Sequence, residues 1–194
     1  MRVGRVATLF GALALGAGLG LSSAWLALRE GVAFGAVRAG PWVAHPHAGG
    51  LDRDPYTAAA LARSGETPFD VAEGVTFIAR NDSSGAPLDG ACDYRVVGAT
   101  PQARFWTLTV SDPSGRLVAN AARRHGFTST EMVRAESGAV VTVLSPRVRA
   151  GMGLPTTGLG PLKLALRLYD TSASATAAAL KRADLPRIEK LGCG

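Results

Sequence analysis

Between Val6 and Leu28 the chain carries no charged residue. As a helix this run is about 34 Å long. That is enough to cross a bilayer core of ~30 Å with some tilt. Arg2 and Arg5 precede it. Positive charge resists translocation, so residues 1–5 are expected to stay in the cytoplasm. The anchor then falls within residues 1–28, with 6–28 in the membrane. Trp25 stands near the far end, where an indole favours the headgroup region. A cleaved signal peptide is the rival reading, because Ser22-Ser23-Ala24 offers small residues at a cleavage spacing. The run exceeds the ~7–15 residues of a signal core and continues through Leu26 and Leu28, which favours the anchor. Either way residues 29–194 are exported. Gly16 and Gly20 form a small-residue pair that would let helices approach. Gly and Ala are ordinary in membrane helices, so no dimer follows from them.

The remaining chain is long enough for about one domain at ~150 residues each. The composition is 47% hydrophobic and 19% charged, which excludes collagen-like and acidic disordered chains. The formal net charge is +6, of which Arg2 and Arg5 supply two. The other charges are interspersed in sign. A nucleic-acid binder gathers its cations into one stripe with aromatics between, and Arg123-Arg124 and Lys181-Arg182 are only doublets. No nucleic-acid partner is expected. Cys92 and Cys193 are the only cysteines. An even count in an oxidising compartment points to a disulfide. Closing a loop of ~100 residues contributes up to about 4.7 kcal/mol in the chain-entropy model. A metal site is the alternative, but no His lies near either thiol in sequence, so no metal and no cofactor is expected.

Glycines and prolines interrupt residues 29–50, which read as a juxtamembrane linker. Phe34, Val37, Trp42 and Val43 in it either lie along the bilayer surface or dock on the domain. His45-Pro46-His47 resembles a ligand pair, but two imidazoles need further ligands; exposed loop histidines are the simpler reading. The folded domain is set at residues 51–194. Asp54 is a good N-cap and Pro55 suits a first helical position, so a short helix is expected up to Arg63, before Ser64-Gly65.

After Pro68 the period changes to two. Val75, Phe77 and Ala79 alternate with Thr76, Ile78 and Arg80. Further strands are expected at Tyr94–Val97 and Arg104–Val110. In the latter, Trp106, Leu108 and Val110 face opposite to Phe105, Thr107 and Thr109. Asp112-Pro113-Ser114-Gly115 signals a hairpin, with Leu117–Asn120 pairing back. Segments 131–134 and 139–144 flank another turn. Residues 151–160 read as a long loop, and 162–169 alternate four leucines with Lys163, Ala165, Arg167 and Tyr169. Residues 172–180 read as a short helix or a loose segment, and Leu185–Ile188 as extended. Roughly seven strands with short connections imply a mainly β, antiparallel β-sandwich or jelly-roll-like domain, preceded by a short helix and one N-terminal transmembrane helix. The exported part is long enough to bury about 70% of its unfolded surface in one core.

The blocks Tyr94-Arg95-Val96, Ala103-Arg104-Phe105-Trp106-Thr107-Leu108-Thr109-Val110 and Gly115-Arg116-Leu117-Val118-Ala119-Asn120 resemble the bacterial domain-of-unknown-function 1214 family. Leu166-Arg167-Leu168-Tyr169 and Leu185-Pro186-Arg187-Ile188 continue the resemblance, which covers roughly residues 73–190. It implies an all-β sandwich in the short, membrane-anchored branch of the family. That places the anchor in a bacterial inner membrane and the domain in the periplasm. It also implies a partner protein of the 1254 family, a β domain that precedes this one in longer relatives. Gly151-Met152-Gly153-Leu154-Pro155 stands where family members often carry Gly-Asn-Trp-Leu-Pro. The family brings no established reaction.

Catalytic patterns are missing. The sequence has no Gly-x-Ser-x-Gly elbow, no His-Glu-x-x-His helix and no phosphate loop. The polar residues within the family-like strands are the ligand-binding candidates: Tyr94, Arg104, Asn120, Arg167 and Tyr169. Arg167 shares a sheet face with Lys163 and Tyr169, and in a cleft it could hold a carboxylate or phosphate bidentately. The competing reading pairs it with a neighbouring acid on a wet surface. Trp106 reads as core, and Asn120 as the cap of a turn. The leading functional expectation is a non-catalytic, membrane-anchored binding or envelope-interaction module. The alternative is an envelope hydrolase using Arg167, Tyr94 and His125, which requires those three side chains to converge.

Overall fold

The computed structural model describes residues 2–30, 35–64, 67–147, 149, 151–172, 179–180 and 184–194. A helix α1 runs over Arg2–Glu30. Its Val6–Leu26 portion is long and apolar enough to cross a membrane, as a single-pass segment or a signal sequence. Leu9, Phe10, Leu13 and Leu15 are exposed on it. A second helix, α2, covers Pro55–Ser64. Asp54 caps it: Oδ1 accepts the backbone N–H groups of Tyr56 and Thr57, both at 3.0 Å. The Thr57 hydroxyl donates to the other oxygen and is the main cause of the lowered Asp54 pKa.

Ten strands follow in chain order: β1 Val37–Ala39, β2 Trp42–Ala44, β3 Gly74–Ala79, β4 Cys92–Gly98, β5 Phe105–Ser111, β6 Gly126–Thr128, β7 Val140–Ser145, β8 Gly153–Pro155, β9 Lys163–Tyr169 and β10 Arg187–Cys193. They form a six-stranded sheet, β1-β2-β3-β9-β5-β6, and a four-stranded sheet, β10-β4-β7-β8. The two sheets make a sandwich-like arrangement. Alternation sends one side chain in two inward, as a half-buried strand requires. Trp42, Phe77, Trp106, Leu108, Leu164, Leu166 and Leu168 are the buried set of one sheet, and Tyr94, Val96, Leu144, Leu154 and Ile188 of the other. Cys92 and Cys193 face each other directly on β4 and β10, and they form a disulfide.

The structure departs from the sequence reading in four places. Residues 37–44, read as linker, form the hairpin β1–β2 and pair with β3. Gly40 adopts φ 59° in the two-residue turn, and Trp42 is wholly buried; the docking alternative holds for Val37 and Trp42, and the folded unit begins before residue 51. The turn after β5 forms, closed by the Asp112 N–H to the Arg116 carbonyl at 3.1 Å. Leu117–Asn120, however, is not a strand; Leu117 is exposed, and β6 pairs with β5 instead. Segment 131–134 contributes only an isolated bridge from Arg134 to Val140. Within the long loop, β8 runs parallel to β7, against the all-antiparallel expectation. The reach of 146–152 suffices because β8 is only three residues long. Of the Ser172–Leu180 reading, residues 173–178 lie outside the described residues, as do Phe34 and the Lys181-Arg182 doublet.

Candidate functional site

The outward face of the six-stranded sheet forms the floor of a groove of about 2150 Å³, larger than the ~300–1,000 Å³ of common small-molecule pockets. Strand register lays the floor out in rows across β3, β9 and β5. Gly74, Tyr169 and Phe105 make the first row, of which Gly74 lines the groove, and Thr76, Arg167 and Thr107 the next, of which Thr76 and Arg167 do. Ile78, Ala165 and Thr109 follow. Lys163 and Ser111 make the last. One wall comes from α2 through Ala60 and Leu61, and from the loop carrying Pro68 and Phe69. Arg38 of the first hairpin and Arg80 and Arg116 at the strand ends also line it.

Aromatic packing fixes the end of the groove where Arg167 lies. The Phe69 ring meets Tyr169 edge-on, with centroids 4.8 Å apart. Tyr169 leans on Phe105 at 5.6 Å. The Arg167 guanidinium carbon stands 5.9 Å from the Phe69 centroid, within cation–π range. Arg167 is half-buried and makes no ion pair among the described residues. Among the described residues no acid stands in the pairing position that the wet-surface reading requires. Beside it, the Thr76 Oγ1 is buried with no hydrogen-bond partner among the described residues. Lys163 is buried on the same floor.

The groove's carboxylate, Asp82, is engaged by its own turn. It accepts from the Ser84 N–H at 2.9 Å, the Ser84 hydroxyl at 2.6 Å and the Ala86 N–H at 3.0 Å. Burial pushes its pKa up, and these bonds together outweigh that and hold it below the ordinary value. At the mouth, Arg116 pairs with Asp112 at 3.0 Å. Cations dominate the lining, and low-dielectric walls concentrate their field in the groove.

Of the five candidate residues, the structure brings Arg167 and Tyr169 together, bridged by Phe69. Tyr94 is fully buried in the core, where its hydroxyl accepts the Asp89 N–H at 3.0 Å. Arg104 is exposed, and its backbone N–H donates to the Asp170 carbonyl at 3.3 Å. Asn120 closes a turn, as read from sequence. Its amide donates to the Arg124 carbonyl at 2.9 Å and accepts the Arg124 N–H at 3.2 Å. His125 sits beside it, Nδ1 at 3.4 Å from the amide nitrogen. Tyr94 points inside the sandwich, Arg167 outside, and His125 lies by the edge strand, so the three do not converge into a hydrolytic centre. Among the described residues no cluster of three His, Cys, Asp or Glu could hold a metal. Phe69, Thr76 and Arg38 also line the groove and are not among the candidates read from sequence. Only the period-two pattern pointed to Thr76, by placing it opposite Val75 and Phe77.

Residues 73–173 match the family described as "Protein of unknown function (DUF1214)". The chain belongs to this family. The crystal structure of the VPA0106 protein of Vibrio parahaemolyticus shares the fold, with a TM-score of 0.56 at 21% identity over 73% of this chain. An uncharacterised protein of Burkholderia cenocepacia gives a TM-score of 0.42 at 17% identity, also over 73% of this chain. This DUF1214 chain spans 36% and 44% of the length of those two chains. Among curated proteins none matches it.

Proposed function

We propose that the protein is a non-catalytic binding module, tethered to the bacterial inner membrane by residues 6–28, with its β-sandwich in the periplasm and its ligand in the groove above the six-stranded sheet. The observation that carries the binding site is the half-buried Arg167 on the floor of the groove, which makes no ion pair among the described residues. Two features support the location. The apolar Val6–Leu26 portion of α1 follows Arg2 and Arg5, and the Cys92–Cys193 disulfide fits an oxidising compartment. A partner protein of the 1254 family belongs to the same proposal. Its support is the family to which residues 73–173 belong.

A reporter fusion and a groove-filling variant test the two halves. Alkaline phosphatase fused after Gly194 is expected to be active and a fluorescent protein fused there dark; the reverse pattern refutes the exported topology. Native mass spectrometry of the full chain released from membranes is expected to show a co-purified small molecule. Ala165→Trp, which fills the middle of the floor, is expected to remove it. Retention of the same molecule by the variant overturns the groove as the site.

A further inference from the structure

Arg167 and Thr76 are cross-strand partners on the groove floor. One carries a charge without a counter-ion, and the other a buried hydroxyl without a hydrogen-bond partner, among the described residues. Each state costs free energy by itself. An acceptor of negative charge arriving from the groove resolves the first directly, and the second once it displaces what covers the hydroxyl. The Phe69 ring, itself braced by Tyr169, supports the guanidinium from one side and limits the rotamer freedom that binding would otherwise remove. Next to this pair the floor turns apolar and low: Ala165 stands between Ile78 and Thr109, and Ala60 and Leu61 face it from the wall. Beyond, Lys163 keeps the potential positive, as do Arg38 and Arg80 at the rim. A cationic anchor followed by a shallow apolar trough fits a molecule with an anionic head and an elongated apolar body.

We propose that the groove binds a carboxylate or phosphate carried on an apolar chain, with Arg167 as the bidentate anchor of the head, Thr76 as a second donor and the Ala165 row beneath the chain. The inference rests on the groove being the binding site. Guanidinium offers two parallel N–H donors that match a carboxylate or phosphate edge, which a lysine ammonium does not. The head is therefore specified more sharply than the body.

The test uses the full chain in lipid nanodiscs, titrated calorimetrically against empty nanodiscs. The probes are hexanoate, hexyl phosphate, hexanol, acetate and inorganic phosphate. Hexanoate or hexyl phosphate is expected to bind at least about tenfold more tightly than hexanol, the difference a charge-assisted bidentate contact supplies. The stronger of the two identifies the head as carboxylate or phosphate. Acetate and inorganic phosphate are expected to bind more weakly than their hexyl counterparts, because the trough is left empty. Arg167→Met is expected to abolish the preference for the charged probes while thermal unfolding stays cooperative. Arg167→Lys is expected to retain part of it, and Thr76→Val to weaken binding severalfold. Arg104→Met, the same charge change outside the groove, is expected to change nothing. If hexanol binds as tightly as the acids and Ala165→Trp abolishes both, the groove is a binding site but the anion inference is wrong. If no probe gives saturable binding that Ala165→Trp removes, both the inference and the groove reading fall. An effect of Arg104→Met equal to that of Arg167→Met also overturns the proposal, since it reduces the effect to net charge.

Discussion

The Trp42 indole N–H donates to the Pro186 carbonyl across 2.8 Å, joining residues 144 positions apart. Trp42 belongs to the hairpin at the start of the six-stranded sheet, and Pro186 leads into the edge strand β10 of the other. The bond therefore ties the first strands of the fold to its last across the sandwich. Trp42→Ala should cost about 3–5 kcal/mol, the usual loss for a large buried aromatic. Trp42→Phe retains most of the apolar volume but leaves the carbonyl without its donor, which should cost about 1–3 kcal/mol. Urea unfolding of the full chain followed by far-UV circular dichroism measures both. Equal stabilities for Trp42→Phe and the native chain would contradict the role given to the bond.

This contact also explains why the first hairpin escaped the sequence reading. Its strands have three residues each, too short for a period to show, and Gly40, Pro41 and Pro46 surround them. What holds them is pairing with β3, more than thirty residues on, and the bond from the buried Trp42 to Pro186, neither of which local pattern encodes. The opposite holds for β9, where four leucines, three of them in the strand, alternate with polar or small residues and the register follows at once. The false strand at Leu117–Asn120 has the same root as the missed hairpin. A correct turn signal at Asp112–Gly115 says where the chain reverses, not which later segment pairs. Arg167 was legible because it sits in β9. Its environment was not, since Phe69 lies in a loop and Thr76 on another strand, and only the order β3-β9-β5 places them side by side.

The disulfide joins residues that already pair across an antiparallel ladder, their Cα atoms 3.9 Å apart. Replacing both cysteines by serine removes the closure of a loop with a sequence separation of 101 and should cost about 2–5 kcal/mol. The same two strands carry the Arg95–Glu189 ion pair at 2.6 Å, and both side chains are well exposed. Glu189→Gln should accordingly cost less than about 1 kcal/mol. Chemical denaturation orders the two effects, and hydrogen exchange should show faster exchange in β10 for the cysteine variant alone. A cysteine variant no less stable than Glu189→Gln would refute this ordering.

Asp112 gives the fold an acid-sensitive turn at the groove mouth. The Ser114 hydroxyl, donating at 2.6 Å, is the main cause of its lowered pKa. Desolvation opposes it, and the Arg116 N–H at 2.9 Å and guanidinium at 3.0 Å add to it, bringing the carboxyl from 3.8 to about 2. A carboxyl with a folded pKa below its unfolded value stabilises fully above the unfolded pKa and loses that contribution as pH falls through the folded one. The window therefore runs from about pH 4 down to about pH 2. Asp112→Asn should show a shallower fall in Tm over this window than the native chain. Residual slope is expected from Asp93, held low chiefly by the Ser145 hydroxyl, and from Glu131, held low by Thr128. Parallel Tm profiles for the two proteins would exclude Asp112 as a contributor.

Gly49 couples the stability of the fold to the shape of the groove. A Cβ placed on it would lie 2.2 Å from the Phe69 carbonyl oxygen and 2.6 Å from the Asp70 nitrogen. Those neighbours are backbone, so they cannot swing aside as a side-chain tip would. Gly49→Ala must push the 67–70 loop outward, at a cost of about 1–3 kcal/mol. The neighbouring Gly50 provides the control, since a Cβ there meets only the His47 carbonyl oxygen at 3.5 Å, an ordinary contact. Gly50→Ala should stay within about 0.5 kcal/mol of the native protein. Phe69 carries the cation–π contact to Arg167, so the displaced loop should also release the guanidinium. Hydrogen exchange at residues 67–70 should rise in Gly49→Ala and stay unchanged in Gly50→Ala. Equal protection in both variants would mean that the close approach at Gly49 does not hold Phe69 in place.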